Sequence, residues 1–200
     1  MSATAGEGQD PVGEVGDPER EALAALERAD REAALTLLMR AYGAALYRYC
    51  RQLVDDEELA QDAHQMTFVQ AYEALAGFGR RSSLRTWLFG IARHRCLDLL
   101  KMDRRRRRRF GRLAEAAERP DPGGGADRGL VARSLADALA ACLRELVPRI
   151  RSAVLLRFQL DLSYPQIAEL SGERAATLQA RVARALPALR RCLEERGVTP

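Results

Sequence analysis

Aromatic residues and strand-forming runs are both scarce in this chain. Phe, Trp and Tyr make up 6% of its 200 residues, and Val/Ile/Thr-rich alternation is nearly absent. A sheet would lack the β-branched and aromatic side chains that fill a pleated surface. No run approaches the roughly 18 apolar residues of a membrane span. Met1 opens into polar Gly/Glu/Asp sequence without the apolar stretch of a secretory signal, so the expectation is a cytoplasmic protein with no membrane insertion. Cysteine is sparse: Cys50, Cys96, Cys142 and Cys192 form no CxxC pair and stand at no ligand spacing to His64 or His94. They read as four reduced thiols near helix faces, with no metal site. A Ser/His/Asp grouping and a phosphate-binding glycine loop are also missing. The carboxylates mostly sit beside arginines at exposed helical positions, the pattern of an ion-paired surface. No enzymatic activity and no cofactor are expected.

Ala, Leu, Arg and Glu dominate the sequence. These are strong helix formers, and the hydrophobic fraction of 47% is enough for a core. The expected fold is all-α. The net charge of +4 is unevenly placed: Glu7, Asp10, Glu14, Asp17, Glu19 and Glu21 face a single Arg20 near the start. The basic surplus therefore lies further along, where a nucleic-acid surface could use it.

Residues 1–18 are Gly-, Pro- and acid-rich and read as a disordered tail, with Asp17 and Pro18 able to cap and open a helix. Leu35, Leu38, Tyr42, Leu46, Tyr49 and Leu53 form a helical stripe from Glu32 to Val54. Asp55 with Glu58 suggests a capping box for a second helix, with Leu59, Ala63, Met66, Val69 and Leu75 facing inward. After a Gly77–Gly79 loop around Phe78, Ser82 or Ser83 caps a third helix carrying Leu84, Trp87, Leu88, Ile91 and Leu99. These segments define a first helical domain over residues 19–103. Six consecutive arginines, Arg104 to Arg109, and a Gly/Pro-rich stretch then give a flexible linker over 104–130. A second domain over 131–196 begins with the stripe Leu135, Leu139, Leu143 and Leu146, followed by Val154, Leu155 and Phe158. Ser163 and Gln166 form a capping box with Pro165 in the first turn; Ile167, Ala168 and Leu170 face inward, and Gly172 ends the helix. Leu178, Val182, Leu186, Leu189 and Leu193 mark the last helix. Short helix, glycine turn and longer helix is the layout of a helix-turn-helix.

Two segments suit nucleic acid. Thr177, Gln179, Arg181 and Arg184 lie in the early turns of the last helix, the part that a helix-turn-helix inserts into the major groove. An arginine-rich chain also places arginines on any exposed helix; the preceding capped helix and turn favour DNA. In the helix from Ser83 to Lys101, Arg85, Arg93, Arg95 and Lys101 interleave with Trp87 and Phe89, a mixture that can hold phosphates and stack on unpaired bases. Trp87 at this spacing is expected to be partly buried. The arginine run reads as a solvated tail or a phosphate clamp, and its position between the two candidates favours the clamp.

The string LTLLMRAYGAALYRYCRQLVDDEELAQDAHQMTFVQAYEALAGF, followed by SSLRTWLFGIARHRCLDLLK, closely resembles region 2 of extracytoplasmic-function (ECF) sigma factors. LRELVPRIRSAVLLRFQLDLSYPQIAELSG with TLQARVARAL resembles region 4 of the same family. The resemblance implies a bacterial initiation factor with core RNA polymerase, promoter DNA and an anti-sigma protein as partners. The contacts on polymerase would be the β′ clamp helices and the β flap. It implies polymerase contacts at Asp62, Gln65, Met66 and Phe68. It implies minus-ten contacts at Phe78, Arg80, Ser83, Arg85, Trp87, Arg93, His94 and Lys101, with a flipped base held near the Phe78–Ser83 loop. For the minus-thirty-five element it implies Gln179, Ala180, Ala183 and Arg184 toward bases, and Arg174, Thr177 and Arg181 toward the backbone.

Met66 stands where the family carries an acid, and His94 where it often has Asn. Ser171 and Glu173 replace residues that are usually apolar, predicting a looser helix-turn-helix. Pro187 predicts a kinked or shortened last helix. A stand-alone helix-turn-helix regulator and a degenerate polymerase-binding adaptor are the competing readings.

Overall fold

The computed structural model describes residues 17–110 and 130–198. The tail expected at residues 1–18 and the Gly/Pro-rich part of the linker thus lie almost wholly outside the described residues. Within them the fold is all-α: α1 (Pro18–Glu27), α2 (Arg31–Val54), α3 (Glu57–Ala74), α4 (Leu84–Phe110), α5 (Leu130–Glu145), α6 (Pro148–Phe158), α7 (Tyr164–Ser171) and α8 (Ala175–Glu195).

Local chemistry sets most helix boundaries. The Asp17 carboxylate accepts from Glu19 N at 3.0 Å, with Pro18 in the first turn of α1, satisfying a donor that the helix cannot pair internally. Asp30 caps α2 through Ala33 N. The start of α3 is displaced by one residue from the expected capping box. Asp55 is drawn into a left-handed conformation (φ +56°) that ends α2, so Asp56 becomes the cap and accepts from Leu59 N at 3.0 Å. Ser83 caps the start of α4 through Thr86 N. Ser163 and Gln166 form the expected capping box of α7, and Gly172 closes it at φ +69°, a conformation in which a Cβ would be strained.

Helices α1 to α4 enclose Leu38, Leu46, Tyr49, Leu53, Leu84, Leu88 and Phe89. The inward face of α3 is Ala60, Ala63, Thr67, Phe68 and Ala71. Met66 and Val69, expected inside, are 37% and 50% exposed. The alanines let α3 sit close against its neighbours, and the larger apolar residues rotate outward. Phe89, offered above as a base-stacking aromatic, is 1% exposed and meets Tyr49 edge-on at 5.7 Å; it belongs to the core.

In the second half, α5 buries Ala138, Ala141, Cys142 and Leu143, leaving Leu135 and Leu139 exposed. Phe158 is also exposed, while Val154 and Leu155 are buried. Pro187 neither breaks nor shortens α8, which continues to Glu195. Both Pro187 and Ala183, whose carbonyl loses its usual donor, face solvent, where water can replace the missing bond. Ser171 and Glu173 do not leave the turn loose either. The Ser171 hydroxyl donates to the Ala168 carbonyl and accepts from Glu173 N, and the Glu173 carboxylate accepts from Arg181.

Cys142 and Cys192 form a disulfide that joins α5 to α8, with their Cα atoms 5.8 Å apart. This corrects the expectation of four reduced thiols: the partners are 50 residues apart in sequence and meet only once the helices are packed. Cys50 and Cys96 are free and buried. A hydrogen bond to Cys50, together with burial, pushes the Cys96 thiol up, which keeps it protonated and unreactive.

The two halves share one continuous apolar core instead of standing apart. The Tyr49 and Ser152 hydroxyls hydrogen-bond at 2.8 Å in the buried interface. The Arg151 guanidinium donates to the carbonyls of Leu53 and Arg144 at 2.9 and 2.7 Å. Arg104 to Arg109, placed above in the linker, are helical and extend α4.

In the chain-entropy account, a cross-link across this separation stabilises by about 4 kcal/mol. Reductant should therefore lower the thermal midpoint of the wild-type chain, and Cys142→Ser with Cys192→Ser should lower it similarly and remove the response to reductant. Calorimetry with and without dithiothreitol checks both. A wild-type midpoint indifferent to reductant would contradict the cross-link's stabilising role.

Candidate functional site

Three surfaces bring candidate residues together. The first lies on the outer face of α3 and the adjoining turn of α2. Asp62, Gln65 and Met66 are exposed there, whereas Phe68 is 5% exposed and anchors the core. Beside them, Leu35, Met39, His64, Phe68, Val69 and Tyr72 line a shallow groove of about 460 Å³. Met39, Val69 and Tyr72 carry no site signal in the sequence reading. Gln65, Val69 and Tyr72 follow a four-then-three spacing on one helix face, which is the signal that could have revealed them. Exposed apolar side chains gathered in a groove and rimmed by polar ones are characteristic of protein-binding surfaces.

The second surface is the loop before α4 and the start of that helix. Phe78 stacks at a tilt on Trp87 with centroids 5.3 Å apart, and both rings are partly buried against the first bundle. Arg80 is exposed, at φ +53°, and pairs with Glu27 at 2.7 Å. Such an exposed ion pair contributes little and is readily exchanged for another anion. Ser83 is occupied as the cap of α4.

The remaining α4 candidates divide sharply. His94 and Lys101 are exposed. Arg85 donates to the Leu160 carbonyl at 2.8 Å, and Arg93 is only 5% exposed, with its nearest acceptor the Leu170 carbonyl at 3.5 Å. Burial lowers the Arg93 pKa. Gly90 permits this approach: a Cβ there would stand 2.7 Å from Leu170 Cδ2. The α6–α7 half thus covers part of the α4 face proposed to meet DNA.

The third surface is the exposed side of α8. Arg174, Gln179, Ala180, Ala183 and Arg184 face solvent and Thr177 is half-buried. Arg181 is held by Glu173, which limits its freedom to reach a phosphate. Arg184 folds back so that Nε donates to the Ala180 carbonyl at 3.1 Å, leaving the rest of the guanidinium available. Adjoining this surface at Ala183, an apolar groove of about 910 Å³ is lined in part by Leu139, Leu143, Phe158, Leu186, Leu189 and Leu193. Helical periodicity alone does not reveal it, because Leu139, Phe158 and Leu186 fall on the same stripes as true core residues.

The sequence matches the family model for Sigma-70 region 2 over residues 38–109 and that for Sigma-70, region 4 over residues 136–189. It is 35% identical to the ECF RNA polymerase sigma factor SigC of Mycobacterium tuberculosis, over 78% of this chain and 81% of that protein. The chain belongs to the ECF sigma factor family. It is also 30% identical to the RNA polymerase sigma factor NccH of Alcaligenes xylosoxydans xylosoxydans, over 89% of this chain and 96% of the other. Among solved structures it is similar to the sigma factor CnrH in complex with the cytosolic domain of CnrY. That match has a TM-score of 0.63 and 25% identity, and covers 90% of this chain and 99% of the other. A sigma factor RpoE bound to the anti-sigma factor NepR, from Bartonella quintana, matches with a TM-score of 0.59 and 25% identity over 78% and 94% of the two chains. Among the described residues no helix is long and apolar enough to cross a membrane.

The contact at Gly90 gives a direct test of the closed arrangement. Gly90→Leu adds bulk that a shift of Leu170 alone cannot absorb, and at a helical position it raises intrinsic helix propensity. The variant should keep its helical circular dichroism while its radius of gyration by X-ray scattering increases. An unchanged radius would mean that the two halves do not meet at Gly90 in solution.

Proposed function

We propose that this sigma factor binds core RNA polymerase and directs it to promoters by reading minus-ten and minus-thirty-five elements. The observation that carries the proposal is the presence, in one chain, of a region 2 bundle and a region 4 helix-turn-helix, each with its own exposed interaction surface. In this reading the α3 face, with Asp62, Gln65 and Met66 beside Val69 and Tyr72, docks on the β′ clamp helices. Phe68 supports that face from below. The Phe78–Ser83 loop holds a flipped base of the minus-ten element, as in other base-extruding sites. Trp87, Arg93, His94 and Lys101 then follow the non-template strand with Arg80 and Arg85.

Gln179 and Arg184 read bases of the minus-thirty-five element, where Ala180 and Ala183 allow close approach. Arg174 and Thr177 position the backbone, together with Arg181 once it leaves Glu173. The apolar groove between α5, α6 and α8 suits an amphipathic helix, and the β flap or an anti-sigma protein is the partner we assign to it. The sigma factors in both similar structures are bound to such inhibitors, which supports an anti-sigma partner here. Because Arg93 is covered in the closed arrangement, promoter engagement in this reading requires the halves to separate on polymerase.

Run-off transcription with purified core polymerase on fragments of the source genome should yield discrete products that depend on this chain. Val69→Asp with Tyr72→Ala should weaken core capture at least tenfold, since a charge in a desolvated apolar contact costs several kcal/mol without a partner. Gln179→Ala with Arg184→Ala should preserve core capture and change promoter choice. Failure of the wild-type chain to capture core polymerase at low salt would refute the proposal.

A further inference from the structure

We infer that the second half of α4 is a sequence-independent anchor for the phosphate backbone of duplex DNA, continuing beyond the minus-ten contact assigned to Lys101 and separate from the minus-thirty-five contacts. Residues 101–109 carry Lys101 and Arg104 to Arg109 against the single acid Asp103, and all seven cations are exposed. They are not part of a loose connector: α4 continues through them to Phe110. Among the described residues, Arg107 is the one of the six arginines with an ion-pair partner, Asp103 at 2.7 Å. The other five present guanidinium groups without a carboxylate partner among those residues.

Geometry selects the ligand class. Nine helical residues span about 13 Å, so the seven cations are spaced at roughly one per 2 Å of axis, close to the charge density of duplex DNA at about one per 1.7 Å. Successive arginines rotate around the helix, so the charge is not confined to one narrow stripe. Arg104 lines both of the clefts that flank this half of α4, which have volumes of about 760 and 540 Å³; Arg108 opens into the larger and Lys101 into the smaller. Met102 is the one apolar side chain in the segment, so there is no apolar face to enter a lipid surface. Exposed arginines distributed around a helix do not present a fixed set of donors to base edges, but they can replace condensed counterions along a backbone.

The continuous helix also fixes where the anchor falls. Arg104 lies about 25 Å along the axis from Trp87, equivalent to about seven base pairs of duplex. With α4 laid along the promoter, the anchor would meet duplex beyond the strand that the Phe78–Trp87 region holds open in the reading above. The choice of duplex over single strand rests on the promoter-binding reading above; the existence of the anchor does not.

The test uses the full-length chain and a fluorescent duplex of arbitrary sequence, about 30 base pairs long so that it spans several helical turns. Single-stranded DNA and RNA of the same sequence are measured alongside, each across a salt series. Arg104→Gln, Arg105→Gln, Arg106→Gln, Arg108→Gln and Arg109→Gln are combined in one variant, and the corresponding five Arg→Lys changes in another. The Gln variant should reduce the slope of log affinity against log salt on duplex by about 2 to 3, near 0.9 for each phosphate no longer neutralised by the arginines that face the duplex. The Lys variant should retain most of the slope, which separates loss of charge from misfolding. Equal slopes for the wild type and the Gln variant on duplex would overturn the anchor. Tighter binding to either single strand than to duplex would overturn the assignment of ligand. Core-polymerase capture by the Gln variant should equal that of the wild type; if the wild type itself captures no polymerase, the function proposed above fails while the duplex slopes still decide this inference.

Discussion

Arg151 occupies the point where the two halves of this molecule become one. Its guanidinium reaches the carbonyl of Leu53, near the end of α2, and the carbonyls of Arg144 and Leu146 where α5 gives way to α6. Burial lowers its pKa, yet a guanidinium remains charged at any pH at which the protein is folded. A cation held in a poorly solvated site needs acceptors, and these backbone oxygens, left over at helix ends, need donors. The two terminal nitrogens of Arg151 answer that need, while its Nε is buried without a hydrogen-bond partner among the described residues. Asp55, whose left-handed conformation ends α2, pairs with Arg144 beside this centre, so one junction both terminates a helix and docks the second half.

The remainder of the interdomain contact is built outward from there. The Tyr49–Ser152 hydrogen bond lies inside the shared core, where burial pushes the Tyr49 phenol up and keeps it neutral. Farther along α4, the absence of a side chain at Gly90 admits Leu170. Arg93 and Arg85 are then satisfied by carbonyls of the second half, at distances of 3.5 and 2.8 Å. The arginines assigned to DNA in the proposed function of α4 are thus engaged by backbone carbonyls of the second half in this arrangement. An interface of this mixed character, with polar bonds at its edges, is easier to separate than a wholly apolar core.

The disulfide divides the second half internally. It fixes α5 against α8, the two helices that form opposing walls of the apolar groove. The helix-turn-helix of α7 and α8 keeps its own supports, the Ser163–Gln166 capping box and the Ser171–Glu173–Arg181 chain of bonds. The polar turn residues are therefore an alternative way to close this motif, with hydrogen bonds replacing apolar contacts.

Composition and periodicity were sufficient for the all-α class, the caps at Asp17 and Ser163, the break at Gly172, and the helix-turn-helix, because these depend on interactions within a few residues along the chain; the choice of Ser83 over Ser82 as the cap of α4 came from the structure. The TWLFGIAR string and its neighbours carried the family, since side-chain identities at fixed spacing do not need a fold to be read. Tertiary structure decided the rest. Met66 and Val69 turn outward while Phe68 turns in, because several apolar faces of α3 compete and close approach through Ala60 and Ala63 selects one. Cys142 finds Cys192 only after α5 and α8 are packed. The arginine run becomes helical as a continuation of α4, although its own charges repel, because the helix is already nucleated upstream. The covering of Arg93 depends on contacts between residues nearly eighty positions apart, a separation at which no local pattern carries information.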